Sequence, residues 1–76
     1  MNHSETLARL TTSILSLQSS ARDFRQQAAD AGNQFPHGSE YVAEYRADCL
    51  AAAQRTEERL MKLIIQRDAM QRKVAA

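Results

Sequence analysis

The sequence has few of the residues that cross-link, bend or break a chain. Its 76 residues include a single cysteine, Cys49, one proline and two glycines. A lone cysteine excludes an internal disulfide and is typical of proteins from reducing compartments, so we expect a cytoplasmic location. The first residues have neither the basic start nor the apolar run of a secretory signal, which agrees with that expectation.

Charge of one sign and long apolar runs are also missing. Ten basic and nine acidic residues leave a formal net charge of +1, which gives no strong field to attract nucleic acid or an acidic membrane surface. No stretch approaches 18 uninterrupted apolar residues, so we expect no membrane insertion. Hydrophobic residues still make up 43% of the chain, which excludes the weakly hydrophobic, highly charged sequences that stay disordered.

Reactive and metal-binding groups are few and scattered. His3, His37 and Cys49 are the only nitrogen and sulfur side chains that zinc prefers, and no two of them have the spacing of a metal-binding motif. No glycine-rich loop and no recognisable pairing of a base with a nucleophile is present. We therefore expect no enzymatic activity, no metal and no cofactor.

The first half of the chain has the periodicity of an α-helix with one buried stripe. We place helix 1 at about residues 4–31. Its start is predicted from Asn2 and Glu5 as a capping box or from Ser4 as the N-cap, and its end from Gly32 as a left-handed stop. The apolar stripe recurs every three or four positions and consists of Leu7, Leu10, Ile14, Leu17, Ala21, Phe24, Ala28 and Ala31.

A turn and a second helix follow. Residues 32–39 hold both glycines and the only proline, which predicts a loop, with Ser39 as the cap of the next helix. No helix breaker follows, so we place helix 2 at about residues 40–73. Its inward stripe is less regular and reads Val42, Tyr45, Cys49, Ala52 or Ala53, Thr56, Leu60, Leu63, Arg67, Met70 and Val74.

The predicted fold is all-α, with residues 1–76 forming one domain. The two helices make an antiparallel, coiled-coil-like hairpin, and such a short pair buries too little apolar surface to be stable unaided. We therefore expect a partner or dimerisation to complete it. Acidic residues precede basic ones by four positions at three places, where ion pairs would support the helices: Glu5 and Arg9, Glu58 and Lys62, Asp68 and Arg72.

Helix 2 carries a second apolar stripe roughly 100° around the helix from the first, formed by Ala43, Ala47, Leu50, Met61 and Ile65. Helix 1 has a weaker counterpart in Ala8, Leu15 and Ala29. One partner helix cannot cover both stripes of helix 2, although alanine can also occur simply because it favours helix. An exposed apolar stripe indicates binding to another protein or self-association. The predicted partner-binding residues are Leu15, Leu50, Leu60, Met61, Ile64 and Ile65.

The layout resembles the small subunits of the type III secretion needle chaperones. The resemblance depends on Gly32, Asn33 and Pro36 in the loop, on Tyr41 opening helix 2, and on the aliphatic run 63–65. It implies a co-chaperone that packs on a tetratricopeptide-like partner, and the pair then keeps the needle subunit from polymerising in the cytoplasm. The apolar surface of the hairpin would be the partner-binding face. The basic C-terminal turn and the long loop have no counterpart in that pattern.

A second interpretation is a homodimeric helical-hairpin regulator of phage or plasmid type that binds RNA or DNA. Basic residues gather toward the C-terminus, at Arg59, Lys62, Arg67, Arg72 and Lys73. Cations there also complement the helix dipole without any ligand. No stripe of basic residues with interleaved aromatics is apparent, so nucleic acid is the less favoured partner.

Overall fold

A computed structural model of the protein describes residues 3–34 and 40–75, and both segments are helical. Helix α1 spans His3–Gln34 and α2 spans Glu40–Ala75. They run antiparallel, because His3 and Lys73 line one groove at one end while Arg46 bonds to the Ala28 carbonyl near the other. The predicted all-α hairpin is confirmed.

The hairpin is a thin rod. Its extents are 57 × 16 × 14 Å, as expected for helices of 32 and 36 residues lying side by side at 1.5 Å per residue. The radius of gyration is 17.2 Å, whereas a compact domain of this length would have about 11 Å. A single layer of two helices therefore leaves both of its broad faces uncovered.

The buried core consists almost entirely of small side chains. Among the residues that the structure describes, Ile14, at 2% exposure, is the only large buried side chain, and the others are Ala21, Ala28, Ala31, Cys49 and Ala53. Small side chains allow the two backbones to approach closely, but each buries little apolar area. The larger residues of the same seam remain half-buried: Leu7, Leu10, Leu17, Phe24, Leu60, Leu63 and Met70.

Polar contacts fix the register of the two helices near the turn. The Arg46 Nε donates a hydrogen bond to the Ala28 carbonyl at 3.2 Å, and the Cys49 Sγ lies 3.8 Å from the Gln27 Oε1. Helix α1 has no basic residue in its last turn. Arg46 therefore supplies, from α2, a cation that complements the C-terminal part of the α1 dipole.

The end of α1 differs from the prediction. The helix continues through Gly32 and Asn33 to Gln34, so Gly32 does not act as a left-handed stop. Gly32 is half-buried, and a Cβ at that position would lie 3.9 Å from the Arg46 Nη2. Packing against α2 thus extends the helix past a residue whose intrinsic helix propensity is about 1 kcal/mol below that of alanine.

The predicted helix starts have mixed outcomes. Ser4 lies inside the first turn of α1, which begins at His3, so Ser4 is not the N-cap. Asn2, Ser39 and the remainder of the predicted loop, residues 35–39, lie outside the described residues. Helix α2 begins at Glu40 as predicted and ends at Ala75, two residues beyond the predicted end.

The predicted inward stripes are largely confirmed. Every member of the α1 stripe is buried or half-buried. On α2, Ala53 is buried and Ala52 is only half-buried, which decides between the two candidates. Val74 is an exception: it is 54% exposed because it lies level with the first residues of α1, where little of that helix is available to cover it.

The close approach of the helices predicts that Ala53 cannot be enlarged. Ala53→Leu should force the helices apart and cost about 1–3 kcal/mol of unfolding free energy, measured by thermal or urea unfolding followed by circular dichroism. Ala51→Leu is the matched control, because Ala51 is exposed on the same helix. Equal stability of the two variants would contradict a tightly packed small-residue seam.

Candidate protein-binding surface

The two broad faces of the hairpin lie on either side of the seam. We call one the front face; it contains a groove lined by Thr12, Ser13, Ser16, Leu17, Arg59, Lys62, Leu63 and Gln66. We call the other the back face; there Arg25 and Glu57 form an ion pair across the two helices. Projection at about 100° per residue places these two features on opposite sides of the seam in both helices.

The ion pair on the back face is bidentate. The Arg25 Nε donates to the Glu57 Oε2 at 2.8 Å, and the Arg25 Nη2 donates to the Oε1 at 2.6 Å. The hydrogen bond and charge of Arg25 lower the pKa of Glu57, and Glu57 in turn raises the pKa of Arg25. Because both side chains are partly exposed, the pair contributes more to register than to stability.

Four of the six predicted partner-binding residues are exposed. Leu15 is 60%, Met61 57%, Ile65 61% and Leu50 41% exposed, while Leu60 and Ile64 are half-buried. Leu60 therefore belongs mainly to the seam, as its place in the inward stripe also predicted. Helical projection puts the other five on the back face or its outer edges.

The structure brings four of these residues to one level along the hairpin. Ser16 and Leu17 face Lys62 and Leu63 across the front groove, so Leu15 lies opposite the turn that contains Ile64. Helical projection places Met61 and Ile64 toward the back face and Leu15 and Ile65 at its two outer edges. We call these four residues the apolar patch. Leu50 lies about 16 Å from Met61 along α2, beyond Glu57, and is not part of it.

The sequence contains a second signal of this surface that a search for apolar residues misses. The twelve residues from Leu10 to Ala21 include no charged side chain, and they run beside the stretch of α2 that carries the patch. The Thr11 and Thr12 hydroxyls donate to the carbonyls of Leu7 and Ala8 at 2.9 and 3.0 Å. These donors are already bonded within the helix, so a partner could cover them without leaving them unsatisfied.

Cys49 is buried in the seam, as predicted from the periodicity. A hydrogen bond with Cys49, reinforced by desolvation, raises the pKa of the Tyr45 hydroxyl. In the part of the chain that the structure describes, no group of three or more His, Cys, Asp or Glu side chains is placed to hold a metal ion. His37 lies outside that part.

The predicted local ion pairs do not form. Within residues 3–34 and 40–75 the ion pairs are Arg25 with Glu57 and Arg67 with Asp68. The Arg67 guanidinium lies partly in the seam, and its Nε is buried without a hydrogen-bond partner. The open end of the hairpin, opposite the turn, therefore has a polar seam that packs less well than the end near the turn.

Among residues 3–34 and 40–75, neither helix combines the length and the hydropathy that crossing a membrane requires. Comparison of the chain with models of known protein families, with curated proteins and with solved structures finds no match. The functional interpretation therefore depends on the surfaces of the chain itself.

The ion pair predicts a specific dependence of stability on pH. The folded-state pKa of Glu57 lies below its ordinary value of 4.5, so the pair stabilises the fold above that pH, and the contribution is lost as the pH falls through the folded-state pKa. Glu57→Gln should lower the Tm at pH 7 and have no effect near pH 2.

Glu58→Gln is the control, because Glu58 is exposed and forms no ion pair among the described residues. An equal loss of Tm in both variants, or a loss from Glu57→Gln that persists near pH 2, would contradict the assigned pairing. An NMR titration of the Glu57 carboxyl group should report a pKa below 4.5 directly.

Proposed function

We propose that this chain is a small protein-binding adaptor whose apolar patch binds an apolar helix of another protein. The observation that supports this most directly is the exposure of Leu15, Met61 and Ile65, each more than half accessible, at one level along the hairpin. Contiguous apolar surfaces rimmed by polar residues typically mark sites of protein association.

The surroundings of the patch favour a helix as the bound element. Two helices packed side by side present parallel ridges of side chains, and a third helix can lie along such ridges by ordinary ridge-in-groove packing. The neighbouring segment from Leu10 to Ala21 is uncharged, so a partner need not desolvate a charge there. The Arg25–Glu57 pair lies toward the turn, where two neutralised charges suit the polar rim of an interface.

Within this class we propose a cytoplasmic co-chaperone of a type III secretion needle subunit, acting together with a tetratricopeptide-like chaperone. The support is the layout of the sequence and the need of a thin core for a partner. Gly32 and Asn33 lie in α1 rather than in a loop. The resemblance therefore depends on Pro36, on Tyr41 at the start of α2, and on the aliphatic run 63–65.

An aspartate in the apolar patch should abolish this association. We expect Met61→Asp or Ile65→Asp to prevent a complex when the chain is co-expressed with a needle subunit and a tetratricopeptide-like chaperone from the same genome, because an unpaired carboxylate would be buried. Complex formation is measured by size-exclusion chromatography with light scattering.

Ala51→Asp is the matched control, since Ala51 is exposed on α2 and lies about 15 Å from Met61 along that helix, outside the apolar patch. Circular dichroism should show unchanged helicity in all three variants. Binding that survives both patch substitutions would reject the patch as the interface. The absence of any complex with the wild-type chain would reject the co-chaperone role while leaving the adaptor class open to other partners.

One observation favours the second candidate, a regulator that binds RNA or DNA. Arg55, Arg59, Lys62 and Lys73 lie along the front side of α2 and form no ion pair with any described residue. The same side of the helix also carries Glu44 and Asp48, which would repel a phosphate backbone that follows it.

We therefore expect no binding of duplex DNA or an RNA hairpin at about 50 mM salt, where phosphate contacts are strongest. Fluorescence anisotropy with labelled oligonucleotides measures this. A micromolar affinity that falls steeply with added salt, and that Lys62→Glu abolishes, would reverse the preference between the two candidates.

A further inference from the structure

The charges along the front side of α2 are divided into an acidic half and a basic half. Near the turn, Glu44 and Asp48 share a surface hollow with Tyr41 and Tyr45. Farther along the same side come Arg55 and Arg59, then Lys62 and finally Lys73. All six charged side chains are exposed, and none forms an ion pair within the described parts of the chain.

The floor between these charges and α1 is apolar and incompletely covered. Three grooves follow one another along the front face, and each exposes part of a large seam residue. Phe24 and Ala52 line the first, Leu17 and Leu63 the second, and Leu10 and Met70 the third. The front face is therefore a long groove with a half-buried apolar floor and a charged rim.

We infer that the front face binds a second copy of this chain, packed antiparallel so that the two turns lie at opposite ends. In this arrangement the acidic half of each α2 lies over the basic half of the other. Glu44 and Asp48 are one helical turn apart, as are Arg59 and Lys62. One register therefore pairs Glu44 with the second copy's Lys62 and Asp48 with its Arg59.

That register also suits the packing at the two-fold axis. The midpoint between the acidic and basic pairs falls beside Ala52, a small residue that permits close approach of the two α2 helices. Phe24 lies in the same groove and gains apolar cover from its counterpart. About 26 residues of each α2 overlap, a length of roughly 39 Å, so the interface extends over most of the floor.

Charge selects this occupant and this orientation. With the two turns at the same end, acidic residues would face acidic residues and basic would face basic, and the repulsion between like charges disfavours that orientation. The net charge of +1 adds little general repulsion between copies. The back face is left free on both copies, so the dimer would display two apolar patches on opposite sides.

A charge-swap experiment on the full-length chain tests the inference. We expect the wild-type chain to be a dimer by sedimentation equilibrium at about 50 mM salt. Arg59→Glu with Lys62→Glu should raise the dimer dissociation constant at least ~10-fold, and Glu44→Lys with Asp48→Lys should do the same. An equimolar mixture of the two double variants should form a heterodimer, because every facing pair is then opposite in charge.

Heterodimer formation keeps the test valid if either double variant is less stable alone, and circular dichroism checks the helicity of each. Glu5→Lys with Glu58→Lys is the matched control: it makes the same change in net charge as Glu44→Lys with Asp48→Lys, at exposed positions outside the four paired ones, and should leave the dimer intact. Met61→Asp should also remain dimeric, which separates this inference from the proposed function.

A monomeric wild-type chain, dimers unaffected by both double substitutions, or double variants that do not associate when mixed would each overturn the inference. So would dissociation by Met61→Asp alone, because the self-association would then use the back face. One further outcome would also overturn the inference: the wild-type chain forms no dimer but binds oligonucleotides, and Arg59→Glu with Lys62→Glu abolishes that binding. The basic half would then be assigned to nucleic acid.

Discussion

The close approach of α1 and α2 along a stripe of small residues is the constraint on which the rest of the structure depends. Ala31 and Ala53 are completely buried, and each contributes only a methyl group to the core. The same closeness keeps larger seam residues such as Leu17, Phe24 and Leu63 near the surface, where they are half-buried. Tight pairing of the helices thus buries little apolar surface and leaves much apolar surface exposed beside the seam. A hairpin built this way is elongated, has a thin core and gains stability from anything that covers a face.

The two faces left uncovered differ in how their charges are placed. On the back face Arg25 and Glu57 neutralise each other within the chain, so the apolar patch beside them can be desolvated at little electrostatic cost. On the front face Glu44 and Asp48 are separated from Arg59 and Lys62 by more than two helical turns, too far for pairing within one helix. Where charges are neutralised within the chain, a partner is recognised mainly by its shape and its apolar contacts. Where charges of both signs are unpaired, they also determine the orientation in which a partner binds.

Periodicity alone was sufficient to predict the hairpin and the α1 stripe, because apolar residues spaced alternately three and four positions apart fall on one side of an α-helix. It could not decide between Ala52 and Ala53, where the four-residue steps around Thr56 make the phase ambiguous. Local spacing predicted ion pairs such as Glu58 with Lys62. The ion pair between the helices instead joins Arg25 to Glu57, which are 32 residues apart. Identifying that pair requires the register of α1 against α2. Exposure of Leu15, Met61 and Ile65 followed from the second stripe. Their assembly into one patch with Ile64 did not, since it depends on which turns of the two helices are level.

The two proposed interfaces do not compete, because they lie on opposite sides of the same seam. Covering the front grooves would bury Phe24 and Leu63 more fully and stabilise the helix pair that presents Met61 and Ile64 behind them. Occupation of one face would therefore favour binding at the other by ordering the shared scaffold, without any change in its contacts. A dimer with two outward patches would also engage a multivalent partner more tightly than a single hairpin, provided that the partner's sites match the spacing of the patches. The small-residue seam, which limits the stability of the isolated hairpin, is what makes its two surfaces interdependent.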